Sequence, residues 1–233
     1  RAFADCDGCF HLAAGASVER SVQDWLGTHR TNVGGTVTVL NAARRRRLPV
    51  VYASSAAVYG DNPDLPLSES SATSPQSAYG ADKLASELHA RVAWRVHAIP
   101  TVGLRFFNVY GPRQDPRSPY SGVISIFSDR LRRHQGITIF GDGQQVRDFV
   151  YVGDVVKALL LAMSRLPVDP SVFCVASGRG TTVRELAGTI ARLCNIELRA
   201  EHAPPRAGEI RASIGDPSLA RRHLGFVAAT PLE

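Results

Sequence analysis

Ser77-Ala78-Tyr79-Gly80-Ala81-Asp82-Lys83 is the stretch around which the rest of the sequence falls into order. Tyr79 and Lys83 stand four residues apart, where Leu84, Leu88 and Val92 begin to recur every fourth residue, the spacing of one helical face. Their side chains therefore project from the same side, about one turn apart. A phenol ordinarily titrates near pH ~10. A neighbouring ammonium favours the phenolate, which suits the pair to general acid–base work. A surface tyrosine and lysine on a solvated helix would show the same spacing, so the neighbouring segments have to decide between the two readings.

Upstream, Leu48-Pro-Val-Val-Tyr-Ala53 is an apolar strand that ends in Ser54-Ser55-Ala56-Ala57-Val58-Tyr59-Gly60. A polar loop leads from there to Ala78, and the Tyr79 helix runs to about His97. Thr101 to Phe106 reads as a further strand. Nearer the start, Gly8 to Ala14 is a short strand running into a small-residue turn. A helix over about 28–45 then carries Val33, Val37 and Leu40. Gly34 and Gly35 lie inside it at a cost of about 1 kcal/mol each relative to alanine, which predicts a close approach there. Strand alternating with helix predicts βαβ units and a parallel sheet. Ligands of such sheets bind beyond the carboxyl ends of the strands. His11 to Ala14, Ser54, Ser55, Phe107 and Asn108 occupy those ends, and Tyr79 opens the helix after one of them.

The second half is looser. An extended loop over 111–119 leads to a helix from Val123 to Arg133. A strand over Ile137–Phe140 precedes the turn Gly141-Asp142-Gly143. An apolar run from Asp148 to Val152, a helix from Val155 to Met163, a strand over Val172–Val175 and a helix from Thr182 to Cys194 complete the pattern.

The 233 residues are 44% hydrophobic and 21% charged, ordinary values for a globular chain with a sizeable core. No apolar run approaches the ~20 residues of a membrane span, and the opening residues lack the apolar core of a signal peptide. The net charge of +6 suits an anionic ligand such as a nucleotide diphosphate. Arg44 to Arg47 form the one dense basic run and read as a solvated helix end, where cations complement the helix dipole. The arginines are otherwise dispersed and not clustered with aromatics, which argues against nucleic acid. Cys6 and Cys9 form a C-x-x-C without a second pair at zinc-finger spacing. Core packing in a reducing, cytoplasmic setting is the expectation, with no metal site.

His11-Leu12-Ala13-Ala14, Ser54 to Gly60, Tyr79-x-x-x-Lys83, Arg105-Phe106-Phe107-Asn108-Val109-Tyr110-Gly111 and Gly141-Asp142-Gly143-x-x-x-Arg147-Asp148-Phe149 follow one another in a fixed order. In that order they resemble the motifs of the extended short-chain dehydrogenase/reductase superfamily, and within it the NAD-dependent nucleotide-sugar 4-epimerases. The resemblance implies an α/β fold, a Rossmann-like doubly wound parallel sheet with a small α/β substrate-binding subdomain. Residues 1–108 and 148–175 would form the dinucleotide-binding part, and 109–147 and 176–233 the substrate-binding part. It implies NAD as resident cofactor, a UDP-sugar as substrate, and a homodimer formed through the helices at about 29–45 and 79–97.

By the same resemblance Ser55, Tyr79 and Lys83 are catalytic. Ser55 would bind the sugar hydroxyl being oxidised, Tyr79 would take its proton, and Lys83 would hold the nicotinamide ribose and keep Tyr79 acidic. His11, Leu12, Ala13, Ala14, Asn32, Ser54 and Phe106 would join Tyr79 and Lys83 around NAD. Asn108, Arg147, Arg206, Glu209 and Ser213 would join Ser55 around the substrate, with the arginines on phosphate. Ion pairing of Arg147 with Asp148 or Asp142, and a solvated Arg206, are the bland alternatives. Ala56 and Ala57 stand where sugar dehydratases of the family carry acidic residues; methyl groups transfer no protons, so an epimerase or a plain reductase is favoured. A non-catalytic nucleotide-binding scaffold is the remaining alternative. Ser213 matches a gate position whose small side chain would admit an N-acetyl group, unless it is simply a loop serine.

The glycine-rich G-x-x-G-x-x-G turn of the family is absent, as are the strand before it and the acidic residue ending the next strand. Two βαβ steps, roughly 60 residues at ~30 per unit, would precede the His11 strand in the family. A truncated chain, an exposed sheet edge and weak NAD binding by these 233 residues alone are therefore expected.

Overall fold

The structure is a computed structural model that describes residues 3–118, 121–167, 172–206 and 209–233. Pro119, at the end of the loop over 111–119, and Ala207 and Gly208 of the segment before Glu209 lie outside the described residues.

Four strands form the first sheet: β1 (Cys9–His11), β2 (Val50–Ser55), β3 (Thr101–Phe106) and β7 (Val172–Val175). Their order is β1-β2-β3-β7 and every pair is parallel. Burial on both faces explains the near-continuous apolar reading of β2 and β3. Val51, Val102, Leu104 and Phe173 face a layer made by α6 (Val152–Arg165) and α8 (Ser218–Leu224). Val50 and Tyr52 face the opposite way, onto α3 (Gly35–Ala43) and α4 (Ala78–His97). The sheet is thus covered on both sides, the doubly wound arrangement expected. β1 is its outer strand among the described residues, and Phe10 there is 43% exposed.

The second lobe is built on β4 (Asn108–Tyr110), β6 (Val146–Tyr151), β8 (Gly180–Thr182) and β10 (Ala212–Ser213), all pairing with β6. A separate pair joins β5 (Ile137–Phe140) to β9 (Ala200–Ala203). Its core lies between α5 (Val123–Arg132) and α7 (Val183–Leu193) and includes Phe127, Leu131, Leu186 and Ile190. Thr182 and Glu185 close a reciprocal capping box at the start of α7.

Two expectations fail here. Beyond α1 (Val18–Gln23), the helix over 28–45 is broken into α2 (Trp25–His29), a π turn over Arg30–Gly34, and α3. Apart from the flanking residues and the helix's own turn, no described atom lies within 4 Å of a Cβ built at Gly34 or Gly35. The glycines accompany a locally widened helix rather than a close packing contact. The apolar stripe of α4 is buried only at its start: Leu84 packs on the core around Val58 and Phe107, while Leu88 and Val92 are each 52% exposed, and Val37 of α3 is 38% exposed. What α4 buries includes Lys83, Ser86, Glu87, Ala90 and Ala93, because the partners of Lys83 and Glu87 sit in the sheet beneath and Ser86 meets Thr36 of α3.

Candidate active site

The carboxyl end of β2 sets the site. Ser55 caps a short 3₁₀ turn over Ala56–Val58, its hydroxyl accepting from the Ala57 N–H at 3.1 Å. α4 starts directly against that turn. Ser77 caps the helix by accepting from Gly80 N–H at 3.0 Å. A Cβ at Gly80 would fall 2.5 Å from the Ala57 carbonyl oxygen, so only glycine lets the helix come this close. The result sets Tyr79, the residue before Gly80, beside the Ser55 turn, where the serine hydroxyl lowers the pKa of the phenol against the larger effect of burial.

Lys83, one turn further on, is 6% exposed. Its ammonium donates to the Ala53 carbonyl at 2.8 Å and lies 5.7 Å from the centre of the Tyr79 ring. Burial lowers the Lys83 pKa to about 8, against a smaller opposing pull from Asp82. Burial likewise raises the Tyr79 pKa, and the Ser55 contact draws it back. The expectation that Lys83 makes the phenol acidic is therefore not met in the chain by itself. Desolvation is the larger effect, and the ammonium is aimed at a backbone carbonyl.

The other expected residues divide. Phe106 pairs with Ser55 across β2 and β3, which puts it at the same sheet edge. Leu12 and Ala13 follow β1 at that edge and are exposed, with Ala14 half-buried. His11 is hydrogen-bonded to Thr36 Oγ1 at 3.1 Å, and burial lowers its pKa. Asn32 is buried and uses both ends of its amide on the Gly15 backbone, at 2.8 and 3.2 Å. It holds the loop beside the expected cofactor site. The Ser54 side chain lies away from the expected cofactor site: it is 2% exposed and its hydroxyl donates to Glu87, on the face of β2 opposite Ser55. Strand alternation turns it away from the cleft.

In the second lobe, β10 lays Ser213 beside Arg147 of β6, and β4 lays Asn108 beside Phe149. Asn108 is exposed, and Ser213, at 8% exposure, is a buried strand residue and not a loop serine. Arg147 pairs with Glu209 at 3.7 Å, not with Asp148 or Asp142. Asp142 instead holds Arg211 through both carboxylate oxygens. Asp148 points inward and accepts from Ser177 N–H and Oγ, Gly178 N–H and Gly215 N–H. Glu209 also accepts from Gln145 at 3.0 Å. These two line a cavity of about 450 Å³ with Phe140 and Arg206, whose guanidinium lies 4.0 Å over the Phe140 ring. Arg206 is exposed, but it is not a free loop charge.

Sequence reasoning missed the buried pair Glu87–Arg105 beneath the site, a fork with contacts of 2.9 and 2.7 Å. An arginine inside the apolar strand Thr-Val-Gly-Leu-Arg-Phe and a glutamate one turn after Lys83 were the available signals. Among the described residues no group of His, Cys, Asp and Glu could hold a metal ion.

The nicotinamide end of the expected cofactor fits these residues. A desolvated ammonium and a phenol stand at the carboxyl edge of a parallel sheet, where a ribose hydroxyl would find a donor in Lys83. The pyrophosphate end has no counterpart in the sequence, which lacks the glycine-rich turn.

The chain is 40% identical over 219 residues to UDP-glucose 4-epimerase of Mycolicibacterium smegmatis, spanning 93% of this chain and 69% of that protein. It superposes with a TM-score of 0.93 and 37% identity on UDP-glucose 4-epimerase of Thermotoga maritima, solved with UDP-glucose, covering 97% of this chain and 73% of the other. With a UDP-N-acetylglucosamine 4-epimerase of Methanobrevibacter ruminantium the TM-score is 0.91 at 35% identity, over 99% and 73% of the two chains. Residues 1–176 match the model of the NAD dependent epimerase/dehydratase family, and the chain belongs to that family.

Proposed function

We propose that this chain carries the active site of a nucleotide-sugar 4-epimerase acting on a UDP-sugar. The observation that carries the reading is the packing of the Tyr79 end of α4 against the Ser55 turn at the edge of β2, with Lys83 buried one turn behind. Bound NAD supplies a hydride acceptor that also gives the hydride back, so the net redox change is zero. Ser55 Oγ orients the sugar hydroxyl at C4. Tyr79 Oη takes the hydroxyl proton as the C4 hydrogen departs, and returns a proton once the ketone has turned over. Lys83 holds the ribose of the cofactor. Arg147 and Arg206 meet diphosphate charge, Glu209 meets the ribose of the substrate, and Asn108 lies beside the diphosphate. Ala56 and Ala57 occupy the serine turn without any proton-transferring group, which supports epimerisation over dehydration.

The substrate range in this reading includes the N-acetylated pair, UDP-N-acetylglucosamine and UDP-N-acetylgalactosamine, because Ser213 presents a small side chain beside Arg147. The functional unit is a homodimer that covers the exposed apolar stripe of Val37, Leu88 and Val92. Cysteines that form no disulfide among the described residues fit a reducing cytoplasm, and no described helix is long and apolar enough to cross a membrane.

The test is incubation of full-length, NAD-loaded protein with UDP-glucose, UDP-galactose and their N-acetylated forms. Interconversion of the C4 epimers without net NADH production is expected. Loss of water from the sugar, or stoichiometric NADH, would overturn the reading.

A further inference from the structure

Consecutive residues at the tip of β2 each meet a different residue of α4. The Ala53 carbonyl accepts from Lys83, the Ser54 hydroxyl donates to Glu87, and Ser55 caps the turn against which Gly80, next to Tyr79, is packed. The middle contact lies on the far side of the strand from the cleft. Glu87 is 3% exposed and is gripped by Arg105, itself 5% exposed. Arg105 sits beside Ser54 in the register of β2 and β3, so both reach the same carboxylate from adjacent strands. Its remaining N–H groups donate to Tyr59 Oη at 2.9 Å and to the Glu69 carbonyl at 3.3 Å. Tyr59 Oη in turn donates to the Ser68 carbonyl and meets Cys174 Sγ.

A buried ion pair adds little stability by itself, because desolvation of the two charges offsets their attraction. What a fully bonded pair supplies is a fixed position. Here the fixed object is the spacing between α4 and the tip of β2. That spacing sets the distance between the two groups that share the substrate hydroxyl.

We propose that Ser54, through Glu87 and Arg105, is a positioning residue that holds Ser55 and Tyr79 at their working separation. The Ser54 hydroxyl is spent on Glu87 and is turned away from the cleft. This rests on the epimerase reading for its kinetic consequence, and on geometry alone for its structural one.

The experiment compares wild type with Ser54→Ala, Ser54→Thr and Glu87→Gln in full-length, NAD-loaded protein. Misplacement of about 1 Å at a reacting centre costs up to ~100-fold in rate, so a fall in kcat of about tenfold is expected for Ser54→Ala, with KM unchanged. Ser54→Thr keeps the hydroxyl and restores kcat. Glu87→Gln keeps the shape, leaves Arg105 without its counter-charge, and loses more. A second readout does not need turnover: the ¹³Cζ resonance of Tyr79, assigned with Tyr79→Phe, reports its contact with Ser55. It shifts in Ser54→Ala and returns in Ser54→Thr. A Tyr79 resonance identical in wild type and Ser54→Ala overturns the proposal, as does a loss of kcat that Thr does not rescue or that follows only the folded fraction. Wild-type protein that fails to interconvert C4 epimers removes the epimerase reading instead, and the resonance comparison still decides the role of Ser54.

Discussion

The ammonium of Lys83 and the phenol of Tyr79 share one helical face, and the ammonium, 5.7 Å from the centre of the Tyr79 ring, donates to the Ala53 carbonyl. Both groups are desolvated, and desolvation opposes charge on each. It lowers the lysine pKa and raises that of the tyrosine.

A stability signature follows from Lys83. Its pKa is about 8 in the folded chain, against ~10.4 for an unhindered lysine. Below pH 8 both folded and unfolded chains carry the proton, and the cost of burying it is constant. Between pH 8 and ~10 the unfolded chain binds more protons than the folded one, so the Lys83 contribution to stability rises with pH. Buried tyrosines and cysteines with raised pKa values act in the opposite sense above pH ~9, so the effect is read as a difference. Urea midpoints of wild type minus those of Lys83→Met should climb from pH 7.5 to 9.5. A flat difference would mean that Lys83 is not desolvated as described.

Tyr79→Phe removes one oxygen and leaves the ring. Loss of a positioned acid–base group costs about 10²–10⁴-fold in rate, so kcat should drop by that order while bound NAD is retained. Steady-state epimerisation alongside cofactor content measures both. A fall of less than tenfold would place the proton transfer on another group.

The strands and helices were legible because their apolar runs report burial, and β2, β3, β7 and α4 fall within a few residues of where periodicity puts them. The motif order placed Ser55, Tyr79 and Lys83 together, and the register of β2 with β3 brings Phe106 beside them. The orientation of α4 was not legible. Its four-residue stripe of Leu84, Leu88 and Val92 has the form of a core face, yet the helix turns Lys83 and Glu87 inward. Those charges are compensated by Ala53, Ser54 and Arg105, partners 18 to 33 residues away that no local pattern records. The direction of the Ser54 side chain was not legible for a related reason, since adjacent serines on a strand point to opposite faces and the sequence does not say which face is the cleft.

That exposed stripe carries its own prediction. A solvated helix face with Leu88 and Val92 each about half exposed, next to Val37 of α3, is the surface a second copy would cover. Leu88→Asp with Val92→Asp should convert a dimer to a monomer in sedimentation experiments, with the helical circular dichroism unchanged. A wild-type protein that sediments as a monomer at micromolar concentration would remove this face as a dimer contact.

Ser213 offers the sharpest separation of substrates. It is 8% exposed on β10, directly beside Arg147 in the strand register, so a larger side chain there has little room to turn outward. Ser213→Tyr should fill the space proposed for an N-acetyl group while leaving that for a hydroxyl. Steric discrimination in a pocket of this kind spans about 10–200-fold. A selective loss of kcat/KM within that range is expected for UDP-N-acetylglucosamine, with UDP-glucose changed little. Equal losses on both would mean that the tyrosine displaces Arg147 and not the acetyl group. An Arg147→Met control separates these outcomes, because loss of the phosphate contact raises KM for every UDP-sugar alike.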